Sequence, residues 1–383
     1  MEPGPAAFHH LEALVRRHFG VQQAWVEDGV PVFAVAAELD LDVRFAALRQ
    51  DLLPLGALPL LRRSGDRLLL SVVPRAGRIR GNGWVNVALF AATVVTTFLT
   101  GYIGSQRFLS VLQQVPDAVI RAGYWPNPLV DGIAFSLGLL GILLVHELGH
   151  KAAARAHGID ASWPYFIPFP PVVLGALSIG TMGAVILTKE PAPDRDGLFD
   201  LGASGPLAGL VVAIPLLLIG VGRTVVLDLE ALRPYLAGLP TFFFPWSVSR
   251  LLALRFGDAP DVVFYTDPLT DAAMIGLFVT GINLLPASML DGGHVVRALL
   301  SPRWHRATSY AAVVLLALMG LLPMALLLLV LLSRPHPGPA NDVSPPSRSR
   351  ALIGLLLLVV FVAALPLDNL FLLPRLLLGL LWP

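Results

Sequence analysis

The sequence predicts an all-α polytopic membrane protein. It should have about six transmembrane helices, a re-entrant hairpin and a small N-terminal α/β domain on the cytoplasmic side. The 383 residues are 55% hydrophobic and 14% charged, against about 25% charged in ordinary soluble domains. Mean hydropathy is +0.72. Beyond Trp84, apolar runs close to the roughly 20 residues that cross hydrocarbon recur down the chain. A net charge of +1 gives no electrostatic case for a nucleic-acid partner. With no cysteine, disulfides, thiolate catalysis and cysteine-held zinc or iron–sulfur sites are excluded, so a transition metal must use His, Asp or Glu.

Residues 1–74 read as the soluble α/β domain, and no basic-plus-apolar leader is expected ahead of it. Ala6–Phe19 and Leu41–Leu53 have helical spacing, and Pro31–Ala37 is strand-like. Leu58–Arg63 and Arg67–Val73 flank a Ser-Gly-Asp turn, as in a hairpin. Residues 75–84 form a basic linker with Arg75, Arg78 and Arg80.

Residues 85–333 form the membrane core. Its spans are expected at Val85–Gly104, Leu129–Ala154, Leu198–Val221, Asp271–Met289 and Thr308–Leu332, and a last one follows at Ala351–Leu367. Between the second and third spans, residues 163–188 are apolar but broken by Pro164, Pro168, Pro170, Pro171, Gly175, Gly180 and Gly183. A continuous helix is not expected there, and a re-entrant loop or hairpin is. The linker arginines, then Lys151 and Arg155, then Arg297, Arg303 and Arg306, fall on one side if the spans alternate, and that side is cytoplasmic. Alternation puts the Pro/Ser-rich loop 334–350, expected to be flexible, on the opposite side despite Arg334, Arg348 and Arg350. Residues 351–383 hold the last span and an interfacial tail, Leu370–Trp382.

The second span ends in His146-Glu147-Leu148-Gly149-His150. Positions i and i+4 share a helix face, so the two imidazoles can bind one metal ion, with Glu147 beside them as a base. A chance match is the plain alternative. Ionisable groups inside a span cost about 3 kcal/mol each, which argues for a use. A catalytic zinc takes three protein ligands and leaves a position for water. Asp291, at the end of the fourth apolar run and followed by Gly292 and Gly293, is the choice for the third ligand, and His294 is its rival. Asn283 could donate to a developing oxyanion or simply make a helix–helix hydrogen bond. Gly205 and Gly209 form a small-xxx-small pair that lets a neighbouring helix pack closely. Lys189, Asp194, Arg195, Asp196 and Asp200 read as a solvated connection, and His157, His305 and His336 have no ligand-like spacing.

His146-Glu147-Leu148-Gly149-His150 together with Asn283-x-x-Pro286-x-x-x-Leu290-Asp291-Gly292 resembles the paired signatures of the site-2 protease family of intramembrane zinc metalloproteases. The stretches Pro164–Pro168, Gly180–Val185 and Gly202–Gly209 are similar to the branch that includes chloroplast members and prokaryotic relatives. The resemblance covers about Val130 to Arg297. It implies zinc held by His146, His150 and Asp291, Glu147 as base, and transmembrane protein substrates, often anchored regulators, cleaved within the bilayer. One branch of the family inserts a PDZ domain between the catalytic spans, and Arg223–Asp267 is too short and apolar to be one. The protein is therefore expected to be a multi-pass protein of the cell (inner) membrane. A metal-binding transporter using the same ligands is the alternative from another class.

Overall fold

The computed structural model describes residues 5–77, 82–114, 119–121, 124–171, 179–234, 245–257 and 261–370. The interfacial tail expected at Leu370–Trp382 lies outside them from residue 371 onward, as do Arg78, Arg80 and Gly175.

The N-terminal domain runs α1 (Pro5–His18), β1 (Val21–Glu27), β2 (Val30–Val35), α2 (Leu41–Leu52), β3 (Ala57–Ser64) and β4 (Arg67–Pro74). Its antiparallel sheet has the order β1-β2-β4-β3. Both helices pack their apolar faces on it through Val15, Phe19, Phe45, Leu48 and Leu52, against Phe33, Leu61 and Leu70. Each such fully buried side chain contributes about 1.5–3 kcal/mol relative to exposure. Strand β1 was not expected. Its Gln22 and Gln23 break the apolar alternation, as suits an edge strand. Asp28 and Gly29, both at positive φ, make the tight turn that pairs it with β2.

Among the described residues, three helices are long and apolar enough to cross a membrane: α3 (Gly83–Gln114), α4 (Pro128–Ala156) and α5 (Arg195–Val221). Strand β5 (Val119–Arg121) separates the first two. Local signals start α4 and α5. The Asn127 side chain accepts from the Val130 N–H with Pro128 in the first turn, and Asp194 accepts from the Gly197 N–H at 2.7 Å. Helix α4 lies between its neighbours. It touches α3 closely at Gly132 against Phe98, and α5 at Gly149, where a Cβ would lie 2.6 Å from the Ser204 carbonyl oxygen. Between α4 and α5 the proline-broken segment forms strands β6 (Tyr165–Pro168) and β7 (Thr181–Val185), antiparallel in register Tyr165↔Val185. Strand β6 faces α3, with Phe90 edge-on to Phe166 and the Thr96 hydroxyl donating to the Gly180 carbonyl at 2.6 Å.

After α5 come β8 (Val225–Asp228), α6 (Leu229–Leu232), α7 (Trp246–Phe256) and β9 (Val262–Tyr265), and β5, β8 and β9 form one sheet. Helix α8 (Pro268–Asn283) packs on α4, capped by Asp267, whose carboxylate accepts from the Thr270 N–H. The fourth expected span ends there. Asp291 instead opens a separate helix, α9 (Asp291–Leu299). The fifth expected span, Thr308–Leu332, is not one helix but two, α10 (Pro302–Leu318) and α11 (Leu322–Leu331). Gly320 at φ +79° ends α10, the Leu321 N–H returns to the Leu316 carbonyl, and Pro323 starts α11. A left-handed glycine followed by an N-terminal proline is a helix stop and restart.

The hairpin of α10 and α11 overturns the expected side of loop 334–350. The loop meets the N-terminal domain, with the Leu61 N–H donating to the Ala340 carbonyl at 2.8 Å and Arg62 Nη1 to the same oxygen at 2.7 Å. Its arginines thus lie at the same end as the linker arginine Arg75. Helix α12 (Arg348–Ala364) packs on α8.

Gly320→Val should destabilise the protein by about 1–2 kcal/mol, the cost of a side chain in the left-handed region, read as thermal unfolding in detergent. Gly104→Ala, in α3 where a Cβ meets nothing within 4 Å, should leave stability unchanged or raise it by up to about 1 kcal/mol.

Candidate metal centre

Helical spacing brings His146 and His150 one above the other on α4, and both are buried. Their Nε2 atoms are 3.0 Å apart. Asp291, on the first turn of α9, reaches both: Oδ2 lies 3.2 Å from His146 Nε2 and Oδ1 lies 3.3 Å from His150 Nε2. Two imidazoles and a carboxylate thus converge from helices far apart in sequence. Zinc bonds of about 2.0–2.1 Å in a tetrahedron set neighbouring donors about 3.3 Å apart, so spacing and donor chemistry both fit zinc. The His150 Nδ1–H donates to the Leu201 carbonyl at 2.6 Å, which leaves Nε2 as the nitrogen with a free lone pair.

Glu147 is buried beside the pair, with a carboxylate oxygen within 4.8 Å of the imidazole nitrogens. The backbone of Ile186, just past β7, faces its carboxylate. His294 lies one turn beyond Asp291, and its Nδ1 is 2.8 Å from His336 Nε2. Asn283 ends α8, half-buried, and among the described residues no hydrogen bond joins its amide to the triad.

The glycines of α5 are part of the centre. A Cβ on Gly205 would lie 2.1 Å from His150 Nε2, one on Gly209 3.4 Å from His146 Nδ1, and one on Gly202 2.5 Å from the Asp291 carbonyl. The small-residue spacing was legible as close helix packing. That the space is taken by the imidazoles of His146 and His150 depends on how α4 and α5 are rotated, which no local pattern encodes. Gly292 and Gly293 behave as the sequence suggested, with the Leu284 and Ser288 carbonyls pressed to within 2.0 and 2.4 Å of where their Cβ atoms would be. The charged run after β7 is no loose connection. Asp196 and Asp200 both receive Arg350, and Asp200 also binds His157 Nε2 at 2.8 Å, tying α4, α5 and α12 together.

The chain is 30% identical over 290 residues to "probable zinc metalloprotease EGY1, chloroplastic" of Arabidopsis thaliana, covering 69% of this chain and 51% of that protein. It is 31% identical over 245 residues to the EGY2 protein of that plant, covering 60% and 41%. It is 24% identical over 220 residues to a zinc metalloprotease of Methanocaldococcus jannaschii, covering 55% and 50%. The chain thus spans about half the length of the curated relatives it matches. No solved structure matches it. The model of peptidase family M50 matches residues 134–327, which contain His146, Glu147, His150 and Asp291; the chain belongs to that family.

Proposed function

We propose that the protein is an intramembrane zinc endopeptidase that cleaves membrane-embedded protein substrates, with His146, His150 and Asp291 as ligands and Glu147 as general base. The observation that carries it is the convergence of two imidazole nitrogens and the two oxygens of one carboxylate, 3.0–3.3 Å from one another in the pairs His146–His150, His146–Asp291 and His150–Asp291, among apolar helices. The names of the relatives favour hydrolysis over the transporter alternative.

Zinc, when bound, supplies Lewis acidity towards a carbonyl and lowers the pKa of water. Glu147 holds the proton taken from water at a carboxylate oxygen and returns it to the leaving amine. The Asn283 amide donates to the oxygen that becomes negative. A helical substrate must unwind first, because its peptide groups are locked in their own hydrogen bonds. Strand β7 supports edge pairing with the unwound segment. One edge pairs with β6, whose far side abuts α3, and the chain just beyond β7 runs past Glu147. Residues 163–188 are then a re-entrant hairpin at membrane depth.

The N-terminal domain is cytoplasmic in this reading, and the membrane is the cell membrane. Exposed Trp84, Trp163 and Trp304, at the starts of α3, β6 and α10, suit the water–lipid boundary at that end. Of the six apolar segments, the α10–α11 pair enters and leaves on one side.

Glu147→Gln should keep zinc and lower cleavage of a spanning test substrate by at least about 100-fold, with metal content and cleavage measured on one preparation. Retained cleavage would remove Glu147 from its role. Asp291→Ala should lose zinc, while His294→Ala should still bind it, with affinity lowered no further than loss of the hydrogen bond to His336 lowers it, both read by metal analysis and chelator competition; zinc lost in His294→Ala and kept in Asp291→Ala would reassign the ligand. Gly205→Ala should cut zinc content as severely as His150→Ala, since the methyl group would occupy the space of the imidazole. Zinc at the wild-type level in Gly205→Ala would show that α5 does not press on the centre.

A further inference from the structure

Helix α9 is short, and its first residue carries a donor atom that must hold its position to a few tenths of an ångström. A helix of nine residues has little orientation of its own. What grips it is the segment 336–342. The backbone of this segment lies along β3 as a parallel partner, with Leu61 opposite Asn341, the Asp342 N–H donating to the Leu61 carbonyl at 3.2 Å, and Arg62 Nη2 donating to the Pro337 carbonyl at 3.2 Å. On its other side the Ala340 and Asn341 N–H groups donate to the Ala192 and Pro193 carbonyls, just ahead of the cap of α5. Two of its side chains hold α9. The Asp342 carboxylate takes both terminal nitrogens of buried Arg297, with Arg195 as a further partner at 3.3 Å. The Gly338 N–H donates to His336 Nδ1 at 2.9 Å, so His336 Nε2 carries the hydrogen and donates to His294 Nδ1, one turn from Asp291.

We propose that residues 336–342 are a strap that positions Asp291 for metal binding, with His336 and Asp342 as positioning residues and β3 of the N-terminal domain as the anchor. It rests on the reading of Asp291 as third ligand. The N-terminal domain thereby becomes part of the metal centre's support, although it contributes no donor atom.

The test uses the full chain in detergent. Zinc affinity is measured by competition with a chromogenic chelator, the visible spectrum of the cobalt-substituted protein reports ligand geometry, and apo-protein unfolding reports the fold. His336→Ala should weaken zinc binding by about tenfold or more, as loss of a supporting partner does elsewhere, and shift the cobalt bands. His336→Gln, whose amide can donate the same hydrogen bond, should restore most of both. The paired replacement Arg297→Met with Asp342→Leu removes both charges and so leaves no lone buried guanidinium; it should weaken zinc binding similarly while still folding. Wild-type affinity and spectrum in His336→Ala and in the paired replacement, with metal lost in Asp291→Ala, would overturn the strap and leave the triad standing. Normal metal binding by Asp291→Ala would instead overturn the ligand assignment beneath it.

Discussion

Two imidazoles and a carboxylate held about 3 Å apart inside apolar helices impose the constraint that the rest of the structure serves. Each such group costs about 3 kcal/mol to insert, and a metal ion repays that only if all donors reach it together. In the proposed ligand set, helix α4 supplies two donors through its own pitch. The third must come from a helix that approaches almost backbone to backbone, which explains the glycines on both sides. Gly202 and Gly205 let α5 lie against Asp291 and His150, and Gly292 and Gly293 let the turn after α8 fold tightly onto α9. Filling any of these spaces would push a donor away from the others.

Much of this was legible because it is local. The His-Glu-x-x-His spacing needs only helical geometry, and the paired glycines after Asp291 signal close backbone approach. The prolines of residues 163–188 argue against a continuous helix, and the described parts on either side form the antiparallel pair β6 and β7. The parts that were not legible depend on tertiary position. The single span expected at Thr308–Leu332 satisfied length and hydropathy, yet one glycine at positive φ and one proline turn the chain back. That reversal moves loop 334–350 to the other end of the helices. His336 has no ligand-like spacing in the sequence and acquires a partner, His294, only through the reversal.

The charged residues at the end of the helices nearest the N-terminal domain gain meaning in the same way. Read along the chain, Asp194, Arg195, Asp196 and Asp200 form a polar connection of the kind water would solvate. In three dimensions Asp194 caps α5, Asp196 and Asp200 bind Arg350, and Arg195 joins Arg297 on Asp342. Exposed ion pairs taken singly contribute little, about 0–1 kcal/mol. Arg297 differs because it is buried, and removing its partner leaves an uncompensated charge.

Strand β7 pairs with β6 along one edge and leads past Glu147. A strand edge reads peptide groups, which every residue presents, and is nearly blind to side chains. Under the proposed edge pairing, discrimination among bound chains would pass from recognition to mechanics: the segment cut would be the one whose helix yields at the smallest cost. A glycine or proline in a substrate would act as a pre-weakened joint. Cleavage would then track local fragility in the client helix more closely than any consensus of residues around the broken bond.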